Sequence, residues 1–272
     1  MPRIAICAPS APFTREDAAR VTALAAAEFP QARLHFHEQC FASEGHFAGP
    51  DELRRAAFLE CANDPAFDAV WFARGGYGAV RIAADVLPRL NAVARGKQYL
   101  GYSDAGTLLG ALYRQHIGRP VHAPMPADIR REGGEAAVRR SLAFLCGDAS
   151  GLEPSLDHRP AAAFNLMTLA MLCGTDLMPD LAGHVVLVEE VSEHLYAIDR
   201  LMFHVTAHLA PMAIAALRLG RVSDVPENDR PFGMTAEEIG RHWCRRTGIA
   251  YFRDADIGHD AANRIVPFGL AG

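Results

Sequence analysis

Short apolar runs alternate with stretches of helical spacing along the first half of the chain. Residues 4–8, Ile-Ala-Ile-Cys-Ala, are apolar throughout, the pattern of a strand buried on both faces, and they stop at Pro9-Ser10. Ala and Leu then recur at helical spacing over 15–28, opened by Thr14 with Glu16 and Asp17 in the first turn, where acids suit the helix dipole. The same alternation predicts strands at 33–36, 68–72, 99–101 and 120–122 and helices at 51–62, 79–87, 105–115 and 134–146. Strands separated by helices mean parallel βαβ units, and hence an α/β doubly wound sheet over residues 1 to about 147.

The pattern breaks at Gly147. From there to Ala161 the chain is Gly, Asp, Ser, Pro and Glu without period, which reads as an interdomain linker. Periodicity resumes with a helix at 165–173, a strong strand at 184–190, an amphipathic helix at 195–209, a strand at 212–219 and a helix at 235–247. A last strand is expected at 264–270. This divides the chain into 1–147, a linker at 148–161, and 162–272.

Composition narrows the class without naming it. Half of the 272 residues are hydrophobic and 22% are charged, with a formal net charge of −5. Lys and Arg are scattered, so neither a nucleic acid nor an anionic membrane surface is an expected partner. No run approaches the roughly 18 apolar residues of a membrane span. The first apolar run is too short for a signal h-region, which leads to the expectation of a cytoplasmic protein. The six cysteines (7, 40, 61, 146, 173 and 244) are far apart with no Cys-x-x-Cys, and buried free thiols are expected.

Two loops at the ends of neighbouring strands carry the candidate chemistry. Gly101-Tyr102-Ser103-Asp104 places a hydroxyl where a strand turns into a helix, and Arg74-Gly75-Gly76-Tyr77-Gly78 offers backbone N–H groups that a reacting oxygen can approach closely. Taken alone, Ser103 reads as a helix N-cap before it reads as a nucleophile, since caps far outnumber nucleophiles. Its setting is not the Gly-x-Ser-x-Gly elbow of α/β-hydrolases, and the glycine loop is neither a Walker A sequence nor Gly-x-Gly-x-x-Gly. Glu189 and Glu190 end an apolar strand and could be solvated carboxylates; His259 could be a plain loop histidine. The pairs His35/His37 and His204/His208 have ligand spacing but no third candidate near them, so no metal site is expected.

In order and spacing these pieces resemble the LD-carboxypeptidase (muramoyltetrapeptide carboxypeptidase) family, serine peptidase family S66. The matching motifs are Ala8-Pro9-Ser10, Phe47-Ala48-Gly49, Arg74-Gly75-Gly76-Tyr77-Gly78, Gly101-Tyr102-Ser103-Asp104, Gly174-Thr175 with Pro179, Val188-Glu189-Glu190 with Glu193 and Arg200, and Asp256-Ile257-Gly258-His259 with Pro267 and Gly269. The resemblance implies a Rossmann-like or flavodoxin-like N-terminal domain and a smaller, β-rich α+β C-terminal domain. It also implies a catalytic triad across the cleft: Ser103 as nucleophile, Glu189 as acid and His259 as base, with the N–H groups of Gly76 and Asp104 as oxyanion donors. The implied reaction releases terminal D-alanine from a murein tetrapeptide in cell-wall recycling. It needs no cofactor, takes a murein peptide as its partner, and leaves room for a homodimer. Two alternatives stand beside it: a related peptidase acting on a peptide-nucleotide antibiotic, and a non-catalytic two-domain binding protein. The sequence departs from the family at Ala123 and at Ala163-Phe164, which puts the shape of the substrate pocket in question.

Overall fold

A computed structural model describes residues 1–270. The alternation read from the sequence becomes β1 (Arg3–Cys7), α1 (Arg15–Glu28), β2 (Arg33–Phe36), α2 (Asp51–Asn63), β3 (Ala69–Phe72), α3 (Ala79–Val86), β4 (Gln98–Gly101), α4 (Gly106–Arg114), β5 (Arg119–His122) and α5 (Gly134–Leu145). The remainder supplies β6 (Ala161–Asn165), α6 (Leu166–Leu172), β7 (Val185–Val191), α7 (Leu195–Leu209), β8 (Ala216–Ser223), α8 (Ala236–Thr247), β9 (Tyr251–Phe252) and β10 (Val266–Pro267). The chain therefore adopts an α/β fold with a second, smaller sheet.

The first sheet has the order β10-β5-β4-β3-β1-β2, and all its pairs are parallel except β10 with β5. Its central strands are apolar because helices cover both faces: every residue of β3 is buried, as are Ile4, Ala5, Ile6 and Cys7 of β1. Strand order reverses between β1 and β3. Connections leave the carboxyl ends of these strands in opposite directions there and open a crevice, the usual ligand position in such sheets. The second sheet, β6-β7-β8-β9, is parallel throughout. The two sheets pack through α4 and α6. Gly106 and Gly110 of α4 permit this approach, since a Cβ at Gly110 would lie 3.0 Å from Leu172 and 3.3 Å from Phe164. Among the described residues no helix is long and apolar enough to cross a membrane. All six cysteines are free, and five are buried.

Four expectations differ from the fold. The sequence places residue 161 at the end of the linker and 165 at the start of a helix, yet Ala161–Asn165 form β6, an edge strand of the second sheet. The preceding segment is also tied down: Leu152 bridges Ile265, and buried Glu153 accepts from the N–H of Asp256 at 2.9 Å. The strand expected at 212–219 begins four residues later, at Ala216, because Pro211 closes a 3-10 turn over Ala210–Met212 and Ala213 takes a φ of 55°. The last strand shrinks from 264–270 to Val266–Pro267, and it joins the first sheet rather than the second. β9 lacks a sequence signature because it is only two residues long.

Candidate active site

Three loops meet at the carboxyl ends of β1, β3 and β4. After β4, Tyr102 is still extended, and Ser103 then turns into the left-handed region at φ 60°. A non-glycine residue there carries strain of order 1 kcal/mol, held in place by its surroundings. The turn continues as a 3-10 segment, Ser103–Ala105, into α4. Ser103 therefore does not act as the N-cap that its position allowed: Tyr102 precedes the short turn and Ala105 precedes α4, and neither makes a side-chain capping bond. Its hydroxyl faces a cavity.

Asp104, the next residue, points its carboxylate the other way. The Oδ2 atom accepts from the Ser10 hydroxyl and from the N–H of Ala79 at 2.9 Å, so one buried side chain fastens the loops after β1, β3 and β4. Desolvation raises its pKa above the usual carboxylate range. The glycine loop lies directly over the serine. A Cβ on Gly75 would stand 2.8 Å from Ser103 Oγ, and Gly76 holds a φ of 110°. Buried Arg54 supports the loop from behind, donating to the Gly78 carbonyl at 2.9 Å and also to that of Pro9.

From the second sheet comes Glu189, fully buried at a bulge in β7. Its Oε2 lies 2.5 Å from Nδ1 of His259. With Glu189 ionised the carboxylate accepts from Nδ1–H, and a neutral ring then presents Nε2 as an acceptor. The adjacent Glu190 points away, as strand alternation requires. It accepts from Asn165 Nδ2 at 2.7 Å and from the N–H groups of Met167 and Val191 at 2.8 and 2.9 Å, fixing the start of α6. Burial raises its pKa as well.

His259 sits on the segment between β9 and β10. Arg221 braces that segment through Asp256 and Asp260, with Nη1 donating to Asp256 Oδ1 at 2.5 Å. The Gly258 N–H donates to Asn263 Oδ1 at 3.2 Å, and buried His122 lies 3.1 Å from the same oxygen. Burial pushes the His122 pKa down to about 4, with the nearby His259 acting in the same direction and the Asn263 contact opposing it. The His259 ring rests on Tyr102 with centroids 4.9 Å apart; the Tyr102 hydroxyl in turn donates to Asp128 Oδ1 at 2.7 Å.

Ser103 and His259 open on one cavity of about 420 Å³, whose wall includes Gly75, Gly76 and Val191. Ser103, Glu189, His259, Gly76 and Asp104, drawn from motifs far apart in the chain, are thus gathered at one place, although no hydrogen bond joins Ser103 Oγ to His259 among the described residues. Asp128, Asn263 and Ser10 also support the site. Only Ser10 stood in a recognisable motif; Asp128 follows Pro126-Ala127 in what reads as an ordinary turn. The departures at 123 and 163–164 do not reach the cavity wall. Ala123, Ala163 and Phe164 are all buried in the apolar core, with Phe164 packed on Phe268 at 5.1 Å. The histidine pairs lie elsewhere: His35 and His37 at β2, where His37 contacts Glu60 at 2.9 Å, and His204 and His208 on α7.

Comparison with known proteins identifies the family and the fold. The LD-carboxypeptidase N-terminal domain family matches residues 4–123, and the LD-carboxypeptidase C-terminal domain family matches 162–271. The murein tetrapeptide carboxypeptidase of Pseudomonas aeruginosa is 26% identical over 247 residues, covering 82% of this chain and 78% of that protein. Among solved structures, muramoyltetrapeptide carboxypeptidase from Oxalobacter formigenes superposes with a TM-score of 0.80 at 24% identity, over 97% of this chain and 93% of its own. The microcin C7 self immunity protein MccF shares the fold equally well, at a TM-score of 0.80 and 17% identity, over 98% of this chain and 91% of its own. With both halves matched and the fold shared from end to end, the chain belongs to the LD-carboxypeptidase family of hydrolases.

Proposed function

We propose that this protein is a serine carboxypeptidase that cuts the L,D-amide bond before a terminal D-alanine of murein tetrapeptides, acting in the cytoplasm in cell-wall recycling. The observation that carries the reading is the pairing of Glu189 with His259 across one cavity from a serine held at positive φ. His259 Nε2 takes the Ser103 proton as Oγ attacks the scissile carbonyl. Glu189 keeps the imidazole in the Nδ1–H tautomer and stabilises the cation that forms. The N–H groups of Gly76 and Asp104 receive the oxyanion; one such donor is typically worth about 3–4 kcal/mol. His259 then protonates the leaving D-alanine, and water attacks the acyl-enzyme with the same base. No step calls on a metal or cofactor.

The test is mass spectrometry of murein tri-, tetra- and pentapeptide after incubation. The expected result is loss of D-alanine from the tetrapeptide at least about 100-fold faster than from the D-Ala-D-Ala end of the pentapeptide, a difference of about 2.7 kcal/mol in the transition state. Equal rates would show that the cleft does not read the acyl-side centre. A second substrate reading is favoured by solved relatives of the same fold: MccF structures are described in complex with aspartyl sulfamoyl adenosine and glutamyl sulfamoyl guanosine. Cleavage of such acyl nucleosides, with the murein peptides left intact, would select it. A fluorophosphonate that fails to label Ser103 would instead favour a binding protein.

A further inference from the structure

The cavity beside Ser103 is basic. Arg74, Arg130 and Arg131 line it against a single lining aspartate, Asp128. Two of these cations already have partners: Arg130 Nε donates to Asp17 Oδ2 at 2.5 Å, and Arg131 Nε donates to Asp128 Oδ1 at 2.8 Å. Arg74 donates to the Pro12 carbonyl at 3.1 Å and forms no ion pair among the described residues. Its guanidinium is half-buried; desolvation and the neighbouring Arg130 charge lower its pKa, and the Asp17 charge opposes them. A cation so placed is stabilised by an anion that enters the cavity, and its planar fork suits a carboxylate.

The placement along the chain says which carboxylate. Arg74 directly precedes Gly75, the residue that lies against Ser103 Oγ. In a C-terminal residue only three bonds separate the scissile carbon from the terminal carboxyl carbon, so the two lie within about 4 Å. An anchor for that group must stand within one side chain's reach of the serine, and Arg74 does.

We propose that Arg74 binds the C-terminal α-carboxylate of the substrate, so that the enzyme acts on free chain ends. This rests on the carboxypeptidase reading above and names the group that enforces it. Arg130, paired through Nε with Asp17, adds charge beside the anchor.

The experiment uses the full chain carrying Ser103→Ala, which binds peptide without turnover. Calorimetry compares N-acetyl-L-lysyl-D-alanine with its C-terminal amide. The expected result is that the acid binds at least about tenfold tighter than the amide, as a charge-assisted fork allows. Adding Arg74→Met, which retains the apolar stem, should bring the two within about twofold. Arg74→Lys retains charge without the fork; it should fall between, and it decides the matter if the Met variant does not fold. A preference for the acid that survives these substitutions unchanged, or no preference in the Ser103→Ala protein, overturns the proposal. The carboxypeptidase reading fails separately, if the wild-type protein releases no D-alanine from a peptide that the Ser103→Ala protein binds.

Discussion

Replacing Gly75 by alanine adds one methyl group and removes nothing, yet it should disable the site. Gly75 does not need positive φ, so its backbone accepts an alanine. The new Cβ meets Ser103 Oγ at 2.8 Å and Ser103 Cβ at 2.9 Å, with Met125 at 3.4 Å. Reaching ordinary contact at 3.4 Å requires the serine or the loop to retreat by about 0.6 Å. Ser103 cannot yield cheaply, because its left-handed backbone is locked between β4 and α4 and the next residue is fastened to Ser10 and Ala79. Misplacement of a reacting atom by about 1 Å costs on the order of 100-fold in rate, so a loss between about 10- and 100-fold is expected. Overpacking itself costs about 1–3 kcal/mol, a drop of a few degrees in Tm. The assay pairs kcat for D-alanine release with the rate of fluorophosphonate labelling and a thermal melt. Gly96→Ala is the control, since nothing lies within 4 Å of a Cβ there. A Gly75→Ala protein that keeps more than half of both rates would refute the claim that this loop lies against the nucleophile.

Glu189→Gln should lower kcat by roughly 10³- to 10⁴-fold by releasing the His259 tautomer, with little change in KM. Glu190→Gln should instead cost about 1–3 kcal/mol of stability through the N–H groups it leaves short of an acceptor, while the folded fraction keeps most of its kcat; the reverse outcome would exchange their roles. His122 supplies a pH dependence of stability. Its pKa of about 4 in the fold lies below the ordinary 6.5, so the unfolded chain takes up a proton that the fold refuses. That contribution is complete above the unfolded pKa and is lost as pH falls toward the folded one, by about 2 kcal/mol between pH 7 and pH 5. Denaturant titrations of wild type and His122→Gln at both pH values should show the variant losing correspondingly less. The raised carboxyls of Asp104 and Glu190 act with the opposite sign, favouring the fold on acidification, and they are common to both proteins.

Where a single local rule governs an element, the sequence discloses it. α1 begins where its pattern predicts because Thr14 accepts from the N–H of Asp17, a cap that needs nothing from elsewhere. The central strands β1 and β3 declare themselves because burial on both faces makes them apolar. β6 was illegible for the opposite reason: Ala-Ala-Ala-Phe-Asn is poor in β-branched residues, and only pairing with β7 makes it a strand. At the site, Ser103, Glu189 and His259 were marked by motif. Their neighbours Asp128 and Asn263 were not, since a polar residue in a turn has the same sequence signature whether it supports a buried cluster or faces water.

The return of β10 to the first sheet fixes the order in which the protein can come to life. Until Val266 and Pro267 arrive, β5 is the outer strand of its sheet, with its N–H and C=O groups unpaired along that side. A chain emerging amino end first can assemble β1 to β5 with Ser103 already in its turn, and still lack both Glu189 and His259. The histidine lies between β9, fastened to one sheet, and β10, fastened to the other, so it is seated only when both ends of its segment are stapled. A half-made molecule therefore has Ser103 and an unpaired β edge in place, but neither Glu189 nor His259 beside them. The late, long-range pairing that closes the edge is the same event that brings His259 to the cavity of Ser103.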